Sequence, residues 1–135
     1  MKNFREKREE YEKKYNEKLA ETGIFWAFGN EQFESNRTHK DKEGRYFSIG
    51  FGGYFHEQDK AKVDKFFKEI APTLKADFKK KIDIKDMIEY ELENHECYYT
   101  GDYEEVVDLV GSYYEEMERA DILELVREIY KKGAY

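Results

Sequence analysis

Two short aromatic runs constrain this chain most. Ile24-Phe25-Trp26-Ala27-Phe28 and Arg45-Tyr46-Phe47-Ser48-Ile49-Gly50-Phe51 are too short for helices, rich in strand-forming residues and flanked by Gly. Nearly everything else has a helical period. Together these features predict an α+β fold: a small antiparallel sheet of two or three strands packed with about five helices, the C-terminal half all helical. Ten Phe, twelve Tyr and one Trp make up 17 % of the residues, so the core is expected to be built from rings. At 135 residues the chain is the size of one domain and needs no disulfide or metal to fold. We read residues 1–135 as a single domain, with a basic α/β part over 1–81 and an acidic helical part over 82–135.

Residues 3–21 read as a surface helix with a narrow stripe of Phe4, Tyr11, Tyr15 and Leu19, stopped at Gly23. The two aromatic runs are expected to pair with each other. Asn30 is expected to cap a turn carrying Glu31, Gln32 and Phe33, with a loop over 34–44. Gly50, Gly52 and Gly53 mark a bend, a bulge or a close backbone approach. From Gln58 to Lys81, Val63, Phe66, Phe67, Ile70, Leu74 and Phe78 fit one helical face. Pro72 should kink that helix or begin another.

Three helices are expected beyond it. The first covers 84–95. The second follows a capping box of Asp102 and Glu105 and ends at Gly111. The third covers 121–132 behind a box of Asp121 and Glu124.

Charge is distributed unevenly. Residues 1–81 hold 19 Lys/Arg and 15 Asp/Glu, a balance of +4; residues 82–135 hold 5 and 16, a balance of −11. An acidic surface of that kind attracts a basic protein and repels nucleic acid. Five tyrosines, Tyr98, Tyr99, Tyr103, Tyr113 and Tyr114, lie among the acids, and Tyr is favoured in protein interfaces.

Other chemistries find little footing. Gly50-Phe51-Gly52-Gly53 is neither a dinucleotide fingerprint nor a phosphate loop. His95 and Cys97 are two apart, but only His39 and His56 remain to complete a zinc site. These residues point to no metal or other cofactor; His95 and Cys97 read as closing a helix end. Cys97 as a nucleophile would need His95 or His56 beside it, and nothing in the sequence brings them together. The protein therefore reads as a non-enzyme. Lys60, Lys62, Lys65, Lys68, Lys75, Lys79, Lys80 and Lys81 form a basic helix face, and Trp26, Phe47 and Tyr54 would stack on bases if exposed.

A lone cysteine fits a reducing compartment. The opening Met1-Lys2-Asn3-Phe4-Arg5-Glu6 lacks the apolar run of a signal peptide, and no stretch is apolar enough to span a membrane. A cytoplasmic protein is expected.

Three segments resemble an uncharacterised family of small proteins from bacteriophages, plasmids and conjugative elements. They are Phe25-Trp26-Ala27-Phe28-Gly29-Asn30-Glu31-Gln32-Phe33, Tyr46-Phe47-Ser48-Ile49-Gly50-Phe51-Gly52-Gly53-Tyr54, and the run from Ile88 to Asp102 with its Tyr-Glu-Leu-Glu-Asn-His-Glu core. The chain departs from that pattern by a larger insertion around Tyr113–Glu118. The resemblance supplies no catalytic residue. It implies a mobile element in a bacterial host, and small acidic proteins from such elements often inhibit host defences. Some block the basic channel of a Cas nuclease.

The expected function is therefore inhibition of a host protein with a basic surface, of which a Cas nuclease is one example. The contacts would come from Tyr98, Tyr103, Glu104, Glu105, Tyr113, Tyr114, Glu115, Glu116 and Glu118. A nucleic-acid-binding accessory protein using the Lys60–Lys81 face is the second reading, and an enzyme of unknown type the third. The sequence does not fix an oligomeric state.

Overall fold

A computed structural model describes residues 3–133. Met1 and Lys2, the start of the stretch read as lacking a leader, lie outside the described residues. The chain divides into two compact units. One is Tyr11–Leu74; the other combines residues up to Glu10 with those from Lys75 on. The fold is α+β, with its strands in the first unit and a helical C-terminal half, as expected.

Tyr11–Leu74 begins in the long helix α1 (Phe4–Ala20), none of whose side chains is fully buried. Thr22 ends it: its hydroxyl donates to the Leu19 carbonyl at 2.6 Å and accepts from the Ile24 amide at 3.2 Å. Gly23 then turns at φ 86°, with its Cα against the buried Asp59 carboxylate, so a Cβ would collide there.

The sheet holds β1 (Phe25–Trp26), β2 (Tyr46–Gly50) and β3 (Gly53–His56) in the order β1-β3-β2, all antiparallel. The two aromatic runs were expected to pair directly; instead β3 lies between them. The reason is local. Gly50, Phe51 and Gly52 take φ of 90°, 54° and 80°, which reverses the chain at once. Residues 53–56 fold back onto β2, and β1 takes the remaining edge, with Phe25 opposite Tyr54.

Successive strand residues face opposite sides of the sheet. On one side Phe25, Phe33, Tyr46 and Tyr54 form a cluster of rings with centroids 5.1–5.9 Å apart. Phe33 comes from α2 (Asn30–Asn36), which replaces the first part of the expected loop. Asn30 is the first helical residue and not the cap. Gln32 reaches back to accept from the Phe28 amide at 2.8 Å, and Asn36 donates to the Trp26 carbonyl at 2.8 Å.

A 3₁₀ turn (Glu57–Asp59) leads into α3 (Lys60–Lys65), a π-helical turn (Phe66–Ile70) and α4 (Ala71–Lys81). The widened turn lets the Ala71 amide reach the Phe66 carbonyl, five residues back, immediately before Pro72. An α-helical turn there would drive the proline ring into the carbonyl four residues earlier. Pro72 thus starts a new helical stretch, one of its two expected effects. The extra residue also changes the facing of the turn. Phe66 is fully buried against Tyr15 at 5.1 Å, whereas Phe67, read as a core residue, is exposed.

The second unit is helical among the described residues. It contains α5 (Ile84–Asn94), the single turn α6 (Cys97–Thr100), α7 (Glu104–Tyr113) and α8 (Arg119–Gly133). Asp83 caps α5 by accepting from the Lys85 amide at 2.8 Å. The interior is mainly aliphatic: Ile88, Leu92, Val106, Val107, Val110, Ile122 and Val126 are at most 1 % exposed, with Phe78, Met87 and Cys97 buried among them. Each such side chain contributes about 1.5–3 kcal/mol relative to exposure. The start of α1 joins this unit through Phe4, whose ring lies 5.1 Å from Tyr90 and 6.1 Å from Phe78. Lys7 donates to the final carbonyl of α4, at Lys81, over 2.7 Å.

Three boundary expectations are corrected here. Gly111 does not end α7; it keeps a helical backbone within van der Waals reach of Ile122, and the helix runs on to Tyr113. The Asp102/Glu105 capping box does not form, because the Glu105 carboxylate turns to His95; Asp102 accepts from the Glu104 amide instead. The α8 helix begins at Arg119, so Asp121 is already inside its first turn rather than at its cap.

Candidate functional site

The expected acidic surface lies in the second unit. Glu104, Glu105, Glu115, Glu116 and Glu118 are all exposed there. They are not equivalent. Lys75 lies 3.4 Å from Glu115, and Lys79 lies 2.9 Å from Glu116. Lys75 also donates to the Ser112 carbonyl. Lys79 holds the Glu116 carboxyl below its ordinary value, chiefly by its hydrogen bond. Two members of the expected acidic face are therefore neutralised by the lysines expected to form a separate basic face. Glu105 faces the His95 Nδ1 at 3.3 Å. Among the described residues, no ion pair engages Glu104 or Glu118.

The tyrosines are half-buried and held by other rings and cations. Tyr98 stacks on Tyr130 at 5.5 Å with planes 5° apart, and Tyr103 meets the same ring at 5.0 Å. Tyr113 packs on Phe78 at 5.7 Å with the Lys75 ammonium 5.7 Å from its centroid. Tyr114 holds the Lys79 ammonium at 4.7 Å. Burial, then nearby carboxylates, raise the phenols of Tyr98 and Tyr114. Tyr99, omitted from the expected contacts, is the exposed ring at 92 %. It borders a 390 Å³ hollow with Tyr98, Glu93 and Glu96. A second hollow of 380 Å³ involves Tyr103, Glu104 and Arg119.

A buried charge network was not anticipated. Glu91 is 2 % exposed, yet it accepts from the Arg8 guanidinium at 3.0 Å and faces the His95 Nε2 at 3.2 Å. At the helical period of α5, Glu91 and His95 fall on the same side as Met87, Ile88 and Leu92. That position is the signal for a paired interior carboxylate. The two His95 ring nitrogens are thus both occupied by carboxylates, so the conceivable Cys97–His95 pair is not assembled. Cys97 itself is buried, and burial together with Asp102 and Glu105 pushes its thiol up, away from a reactive thiolate.

The remaining histidines meet in the first unit. Their ring centroids are 4.9 Å apart, and the His39 Nε2 lies 2.9 Å from Asp59. No group of three or more His, Cys, Asp or Glu among the described residues is arranged to hold a metal ion. No helix among those residues is long and apolar enough to cross a membrane.

The chain carries a family profile over residues 7–132, nearly its whole length. It belongs to the family of unknown function DUF7659. No characterised protein and no solved structure shows significant similarity to it.

Proposed function

We propose that this DUF7659 protein works by binding another protein, and that its acidic helical unit docks onto a basic patch of that partner. The observation that carries this reading is the charge of the unit. Residues 1–10 and 75–135 hold 13 Lys/Arg against 20 Asp/Glu, a balance of −7. Glu104 and Glu118 stand exposed on it without an ion pair among the described residues. Exposed carboxylates near half-buried tyrosines suit a basic interface that would otherwise contact nucleic acid. The resemblance to mobile-element proteins suggests the setting: inhibition of a bacterial defence protein in the host cytoplasm, with a Cas nuclease as the leading case. The nucleic-acid reading is weakened by the use of Lys75 and Lys79 in internal pairs.

The test is a tagged pull-down from bacterial lysate containing CRISPR–Cas components, with and without nuclease. A stoichiometric partner should survive nuclease and dissociate with salt. The Glu104→Lys/Glu118→Lys double variant should abolish its capture while leaving the fold intact. Glu115→Lys and Glu116→Lys should do less, because they break internal pairs instead. Capture that is unchanged in the double variant rejects the acidic surface. Capture lost with nuclease favours nucleic acid.

A further inference from the structure

The other unit presents the opposite kind of surface. Trp26, Phe47 and Phe67 are 40–45 % exposed, Phe28 is 74 % exposed and Phe51 is 96 % exposed. Phe47, Ile49 and Trp26 lie on one side of the sheet, since alternate residues share a face and the Trp26 and Ile49 side chains both lie against Gly53. Phe51 at the hairpin tip and Phe67 on the π turn extend that face. Phe28 adds to it, with its ring lying over Gly52. Trp26, Ile49, Gly50, Phe51 and Phe67, together with Tyr15 and Leu19, line an apolar cleft of about 470 Å³.

We propose that a second copy of this chain covers this face, with Phe51 of each copy seated in the cleft of the other. Three observations select that occupant. The first is area. The exposed parts of the five rings equal about three whole aromatic side chains, roughly 600 Å² at about 200 Å² each. A standard interface buries about 800 Å² per partner, and the half-buried Ile49, Leu19 and Tyr15 at the rim supply part of the rest.

Charge is the second observation. Residues 11–74 hold eleven Lys/Arg and eleven Asp/Glu, a balance of zero, against −7 for the other unit. Two identical chains can bring a neutral face together without repulsion, whereas their acidic faces repel. The third is geometry. A two-fold interface must carry both knob and hole on one patch. Phe51 borders the cleft it would fill, and beside it Gly50 opens onto free space. Phe51 also adopts φ 54°, a backbone conformation that Phe rarely takes and Gly takes freely. An exposed ring held in a strained turn contributes nothing to folding of the single chain, but it is suited to insertion.

The test is light scattering on the size-excluded full chain across a range of concentrations, read alongside Trp26 emission. Trp26 is the only tryptophan and lines the cleft. Wild type should pass from monomer to dimer mass as concentration rises, and Trp26 emission should shift to the blue with it. Phe51→Gly removes the ring and relieves the backbone, so it should fold at least as stably while weakening the dimer about 30-fold or more. Phe67→Ser, outside the turn, should weaken it in the same direction. The proposal is overturned if wild type remains a monomer at the highest concentration, or if Phe51→Gly dimerises like wild type. It is equally overturned if emission responds only to added single-stranded oligonucleotide, which would assign the rings to base stacking.

Discussion

In residues 11–74 the rings stack on one another: Phe25, Phe33, Tyr46 and Tyr54 form one cluster, and Tyr15 meets Phe66 in another. In the acidic unit the interior is mainly valine, isoleucine and leucine, joined by Phe78, Met87 and Cys97, with one carboxylate enclosed among them. A three-stranded sheet with a two-residue edge strand is too small to cover every ring it carries, so apolar area remains outside. The helices α5, α7 and α8, with narrow apolar faces, bury most of theirs, which leaves the acids and Tyr99 at the surface. Stability has different sources in the two units, and so does what each can offer a partner: rings from one, charge from the other.

Substitutions can break or sharpen this contrast. Phe66→Ala should have the largest effect, about 3–5 kcal/mol, because it opens a cavity beneath Tyr15. Arg8→Ala should follow at about 3 kcal/mol, because it leaves the buried Glu91 carboxylate without its guanidinium. Both are read by thermal denaturation followed by Trp26 emission and by helical ellipticity. Phe66→Ala should move the Trp26 transition and Arg8→Ala the ellipticity transition. Coincident shifts in both probes for both variants would mean that the units unfold as one, and the contrast would hold for composition only.

The smallest effect is alkaline. Tyr98, Tyr114 and Cys97 all keep their protons to higher pH in the folded chain than when unfolded. Their stabilising contribution is complete below the unfolded values and is lost as pH rises through the folded ones. The melting temperature should therefore fall modestly from about pH 8.5, where the unfolded thiol begins to ionise, and further above about pH 10, where the unfolded phenols do. Much of that fall should disappear in Tyr114→Phe; an unaltered alkaline profile in that variant would remove this tyrosine from the account.

The elements with one clean apolar stripe were legible in the sequence: α1, α5 and α8 start and stop within a few residues of expectation. Elements defined by turn geometry were not. Gly50, Gly52 and Gly53 read as a bend, a bulge or a close backbone approach; a bulge and close approaches are there, but only three successive positive φ values make the turn a hairpin that places β3 in the centre of the sheet. Gly111 read as a stop because glycine often ends helices, but packing against α8 carries α7 through it. The acidic half was visible in composition. Its neutralisation by Lys75 and Lys79 was not, because those pairs join residues 37–40 positions apart.

The central position of β3 also dictates an order of assembly. β2 and β3 are joined by the tight turn and can zip on the microsecond scale of hairpins. β1 closes a much longer stretch of chain, from Phe25 to Tyr54, and is therefore expected to dock after the hairpin has formed. Trp26 rides on that late strand. After dilution from denaturant, ellipticity should recover first and Trp26 emission last; simultaneous recovery would reject the order. The edge strand therefore makes the single tryptophan a clock for the closing of the sheet.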